Sequence, residues 1–153
     1  MPAPTITHLI CTTALIVLIV VMQFFYMQIV NNMQVEVIRR ELKDIADYVS
    51  NTFLNLYYLL NSSGSSGILR KTLEVPEKVE GILYYIQISY NASSNEADSI
   101  RVYLISDSSI YAISWLVPGL KVNTSKDYIV LSSKDNIFAC CDLSGGEFFI
   151  WFE

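Results

Sequence analysis

The first 35 residues contain no Asp, Glu, Lys or Arg. From Leu9 to Val30 the polar side chains are few, Thr12, Thr13, Gln23 and Gln28, in a run of Leu, Ile, Val, Phe and Met. As a helix this run extends roughly 33 Å at 1.5 Å per residue, enough to cross the hydrocarbon core of a bilayer. A cleaved secretory signal would have a basic start, a shorter apolar core and a small-residue cleavage site. Here no basic side chain precedes the run, and its end, Met22 to Met27, is bulky. The expectation is a retained single-pass anchor over residues 6–30.

The entry to the run is polar: Thr5, Thr7 and His8, the only histidine. Thr5 or Thr7 is expected to serve as helix N-cap. A lone His with no acid, thiol or second His nearby is neither a catalyst nor a complete metal site. Its polar ring suits the headgroup level, with a contact to a partner helix or a proton-sensing role as the functional alternative.

The helical pattern continues past the apolar run. Val35, Ile38, Leu42, Ile45 and Val49 step by three and four, and Phe53, Leu56 and Leu60 follow after a step of four where the alternation calls for three. This is a heptad seam with a stutter. Charged residues from Glu36 to Asp47 take the other faces, and the breaker is the Ser/Gly stretch 61–67. The pattern predicts one helix of about 55 residues, roughly 80 Å long. Its second half, 31–60, must bury a stripe, either on the chain's own C-terminal domain or against neighbouring copies.

After the Ser/Gly linker at 63–67 the period becomes that of strands. Segments 69–75, 82–90, 99–106, 109–117, 127–133, 136–143 and 147–153 read as strands, with Asp107-Ser108 and Gly145-Gly146 as turns. The fold class is α+β: a long N-terminal helix, transmembrane then amphipathic, followed by an antiparallel β-sandwich of about seven strands over 68–153. Several strands are apolar on both faces. Phe148, Ile150 and Phe152 point one way in the last strand, Phe149 and Trp151 the other. The second face calls for the amphipathic helix or a partner subunit. A chain ending directly on this strand suits a buried or edge strand within an assembly.

Composition narrows the function. The net charge of −5 argues against nucleic acid, which favours a basic face. The C-terminal part has no histidine, so Ser-His-Asp and Cys-His arrangements are unavailable. No HExxH, GxGxxG or P-loop is present. Cys11 lies in the apolar run, and the adjacent Cys140 and Cys141 can pair only through a strained vicinal bridge. No catalytic, cofactor-binding or metal-binding residue is assigned, and neither a small-molecule substrate nor an enzyme activity is expected.

Topology cues conflict. Arg39, Arg40 and Lys43 follow the apolar run, which by the positive-inside rule places the C-terminal part in the cytoplasm. Three sequons, at Asn61, Asn91 and Asn123, are candidate N-glycosylation acceptors and point outside. The Tyr-, Ser- and Thr-rich, Lys-poor composition also suits an external domain, and that orientation is the expectation.

The residues Thr7-His8-Leu9-Ile10, followed at once by a charge-free helix, resemble the N-terminus of archaellum accessory proteins of the FlaG type. Leu73, Pro76, Val79, Gly81, Tyr84, Ile86 and Ile88 resemble a phrase found in archaeal pilin-like and archaellum-associated external domains, and the Gly145-Gly146 turn with its last strand resembles theirs. The resemblance implies an archaeal single-pass envelope protein whose sandwich lies between membrane and surface layer, in a stator or anchoring complex around a type IV pilus-like filament. The regular stretch 31–60 is longer than that family implies and looks like the N-terminal helix of a type IV pilin, for which the filament-subunit reading stands as the alternative. A prepilin would carry a basic residue and Gly before the apolar run and an early Glu, and neither is present. A cytoplasm-facing adaptor is the third reading. The expected partners are the membrane and protein components, through self-assembly or filament and motor proteins.

Overall fold

The computed structural model describes the backbone of residues 3–63 and 67–153, with side chains from residue 6 onward. Helix α1 spans Ala3–Ser63, 61 residues without interruption. Eight strands follow: β1 (Ile68–Thr72), β2 (Tyr84–Tyr90), β3 (Ala97–Leu104), β4 (Tyr111–Trp115), β5 (Leu120–Val122), β6 (Ile129–Leu131), β7 (Phe138–Ser144) and β8 (Glu147–Phe152). By internal contacts the chain divides into Met1–Val37 and Ile38–Glu153. The second half of the helix therefore belongs to the β-domain, and the division falls upstream of the Ser/Gly linker, whose residues 64–66 lie outside the described residues.

In the first unit the helix begins at Ala3, so Thr5 and Thr7 lie inside it rather than at its cap. Pro4 permits this, since a proline in the first turn forfeits only an N–H that has no intrahelical acceptor. The side chain of Thr5 lies outside the described residues. Thr12 and Thr13 satisfy their hydroxyls locally: Thr12 donates to the carbonyls of His8 and Leu9, and Thr13 to that of Leu9. That back-bonding lets hydroxyls sit in an apolar helix without a water partner.

The second unit holds two four-stranded sheets, ordered β1-β7-β8-β5 and β4-β3-β2-β6. The α+β class is as expected, with one strand more. β5 pairs in parallel with β8, against an otherwise antiparallel arrangement. Three residues cannot display a period of two, so β5 has no local signature; only its pairing with the distant β8 makes it a strand. β8 is an interior strand of its sheet. The Gly145-Gly146 hairpin forms as its sequence predicts, with φ of 62° and 83°, values that favour glycine.

One apolar core unites the helix with both sheets. Leu42, Ile45, Ala46, Val49, Phe53, Leu56 and Leu60 are buried together with Tyr84, Ile86 and Ile88 of β2, Ile100, Val102 and Leu104 of β3, and Ile150 and Phe152 of β8. Phe53 meets Phe152 at 5.6 Å between ring centroids, and Tyr57 meets Phe148 edge-on at 4.6 Å. The helix thus packs on the same inward faces that the two sheets turn to each other. It does not cover a second, outward face, as the two-sided strands suggested. On the outward face of β7 and β8, Cys140 and Trp151 pair across the strands and are buried apart from the main core.

The helix also closes an open sheet edge. β4 is terminal in its sheet, and the carbonyls of Ile113 and Trp115 point away from β3. Lys43 Nζ donates to Ile113 O and Ser50 Oγ to Trp115 O, each at 2.7 Å. Unpaired edge carbonyls invite pairing with another chain, and covering them with a helix removes that liability. Because Phe53 lies where helix and β8 meet, Phe53→Ala is expected to destabilise the domain by about 3–5 kcal/mol, the range for deleting a buried aromatic ring. Chemical denaturation of the full chain in detergent, followed by near-ultraviolet circular dichroism, measures this.

Candidate interaction surfaces

Three surfaces are candidates for function. The first is the apolar part of α1. It holds a window of mean hydropathy 2.4, and none of that window is buried within the chain. Leu9, Phe24, Tyr26 and their neighbours are all exposed. One helix of this chain is therefore long and apolar enough to cross a membrane.

The second is a polar latch between α1 and β4. Asp47 Oδ1 accepts from Lys43 Nζ at 2.8 Å and from Ser114 Oγ at 2.6 Å, while Lys43 also reaches Ile113 O. Partial burial works to raise the Asp47 pKa, but the hydrogen bonds from Lys43 and Ser114 outweigh it and hold the carboxyl below its ordinary value. Both ionised side chains are close to half exposed, so the pair is worth at most about 1 kcal/mol.

The third is the outward face of the β4-β3-β2-β6 sheet. Cross-strand register sets Tyr85, Tyr103 and Tyr111 in one row, Gln87, Arg101 and Ile113 in the next, and Ser89, Ser99 and Trp115 in a third. The Arg101 guanidinium lies 4.5 Å from the Tyr111 ring centroid and 5.5 Å from that of Tyr103. Its Nε is buried without a hydrogen-bond partner.

The residues singled out in the sequence fall as follows. Leu42, Ile45, Val49, Phe53, Leu56 and Leu60 are buried in the chain's own core, Ile38 packs against it, and Val35 is half-exposed in the first unit. The stripe is thereby satisfied without neighbouring copies. Asn61 sits on the last turns of α1 and is exposed. Asn91 is exposed in a turn, where its side chain accepts from Ser93 N; Asn123 is half-exposed and accepts from Ser125 N. His8 is exposed. Cys11, Cys140 and Cys141 are free thiols, and burial, as the main cause, pushes Cys140 up to about 11 and Cys141 up to about 12, so both are protonated at neutral pH. Among the described residues no group of three or more His, Cys, Asp and Glu side chains can hold a metal ion.

Sequence reasoning missed the Arg101–Trp115 face and the latch. The alternation of apolar and polar residues in β3 and β4 is visible, but which face a helix will cover is not. Comparison with protein-family models, with curated proteins and with solved structures finds no match to this chain.

The latch has a definite pH dependence. A carboxyl whose folded pKa is lowered contributes stability in full above its unfolded value near 4 and loses it as pH falls through the folded value. Asp47→Ala is expected to lower the melting temperature modestly at pH 7, with a difference from the parent chain that shrinks below about pH 4. Thermal melts of both proteins across pH 3–8 check the sign.

Proposed function

We propose that this chain is a non-enzymatic, single-pass membrane protein that presents its β-domain for protein contacts at the membrane surface. The observation that carries this is the apolar segment of α1: it is charge-free, of membrane-crossing length, and unburied in its own chain. Leaving that much apolar surface in water would be strongly unfavourable at about 25 cal/mol per Å², so lipid or other helices must cover it. The helix then continues without a break into the core of the β-domain. The anchor is thus covalently and structurally part of the element around which that domain is built.

The resemblance of Thr7-His8-Leu9-Ile10 and of the 73–90 segment to FlaG-type proteins supports placing this anchor in an archaeal envelope, as a stator-like component of an archaellum or type IV pilus-like system. The external orientation rests on the three sequons and the Lys-poor domain surface. A second reading is favoured by one feature, the helix that is apolar in its first half and core-forming in its second: a pilin-like filament subunit, in which copies of the apolar half cover one another.

Fractionation separates these readings. The anchored protein is expected to stay in carbonate-washed membranes and to be released only by detergent, and removing residues 1–30 is expected to free it. Recovery chiefly in sheared surface filaments overturns the anchor in favour of the subunit. Protease added to intact cells is expected to remove the β-domain; survival until lysis places it inside.

A further inference from the structure

Packing within the domain does not explain the Arg101–Trp115 face. Trp115 is 75% exposed, more than any large apolar side chain in the membrane-crossing segment. Arg101 shares the face one register row away, its guanidinium turned over the Tyr103 and Tyr111 rings, with an ion-pair partner nowhere among the described residues and a buried Nε left unbonded. In a chain of net charge −5, the three register rows of this face hold one charged side chain, Arg101, and the exposed Asp98 lies at the irregularity of β3 just beyond Ser99. An exposed indole on the same face as an unpaired guanidinium stacked on tyrosine rings is the composition of an interface hot spot that prefers an acidic, apolar partner.

The same domain carries the complement. Between α1 and the segment after β1 lies a cavity of about 320 Å³, walled by Ile45, Val75 and Val79 and rimmed by Glu41, Asp44 and Glu74. No basic residue lines it. Its wall is fixed in place, because the hydroxyl of the buried Tyr84 donates to the carbonyl of Pro76. Its size suits an indole ring, and its rim suits a guanidinium.

The helix sets the relation between the two surfaces. Lys43 and Ser50 hold β4, whereas Glu41, Asp44, Ile45 and Tyr48 line the cavity. At 100° per residue these groups lie about 160° apart around the axis and at nearly the same level along it. A domain therefore cannot fill its own cavity with its own Trp115, but a parallel neighbour can do so without sliding along the helix.

We propose that the Trp115–Arg101 face of one copy docks into the acid-rimmed cavity of the next. The contact is heterologous, since each copy offers a different surface at each side, and its repetition closes a ring or continues as a filament. The proposal deepens the assembly reading above by naming the partner as a second copy.

Sedimentation velocity of the full chain in detergent tests it. Arg101→Glu and the double variant Asp44→Lys/Glu74→Lys are each expected to weaken self-association by about tenfold or more. Mixing the two is expected to restore it, because each variant keeps one intact surface and the altered surfaces complement each other in charge. Recovery on mixing also shows that both variants fold. Trp115→Ala, which truncates an exposed side chain, is expected to weaken association similarly with an unchanged near-ultraviolet spectrum in the tyrosine region. The proposal is overturned if the parent chain is monomeric at all concentrations, if Arg101→Glu associates like the parent, or if mixing restores nothing. It is also overturned if the face instead binds anionic vesicles in an Arg101-dependent way without self-association. Membrane retention on carbonate washing is read in parallel, so a monomeric but anchored chain defeats this inference and leaves the anchor standing.

Discussion

Everything in the β-domain depends on burying the apolar stripe of α1 from Leu42 to Leu60. Neither four-stranded sheet could close a core of this size alone, because β5 and β6 are only three residues each and the inward faces of β2, β3 and β8 present large side chains that need a partner layer. Phe53 against Phe152 and Tyr57 against Phe148 bring that layer to one sheet. Lys43, Asp47 and Ser50 bring it to the edge of the other. The helix is a structural member of the domain, and the unit boundary at Val37/Ile38 follows from that packing.

This arrangement ties the proposed anchor to the domain it carries. Here one uninterrupted helix provides both the apolar segment and the core, so the same backbone hydrogen-bond ladder serves each. The cost falls on the outward face of the β4-β3-β2-β6 sheet. With the helix committed inward, Trp115 is left 75% exposed among the described residues, and the Arg101 guanidinium lies over the rings of Tyr103 and Tyr111. The surface that remains uncovered is the one proposed above to meet a second copy.

Much of this was legible in the residues. The apolar run without charges, the three-four spacing from Ile38 to Leu60, the alternation in 82–90 and the Gly145-Gly146 turn each reflect a local rule, and local rules act before any tertiary contact exists. β5 was not legible, since its strand state comes from parallel pairing with β8, far along the chain. Nor was the true start of α1, expected at a Thr5 or Thr7 cap but lying at Ala3, with Pro4 accommodated in the first turn.

The sequence by itself determined that there would be one helix capable of crossing a membrane, that its second half would be amphipathic, and that a strand-rich α+β domain would follow. These are consequences of periodicity and charge along the chain. Only the tertiary structure decided where the stripe is buried and which sheet face stays open. A heptad pattern states that a surface must be covered without stating by what, and an alternating strand does not announce which of its faces the helix will choose. That choice, made by the fit of Phe53 and its neighbours between two sheets, left Arg101 and Trp115 facing outward.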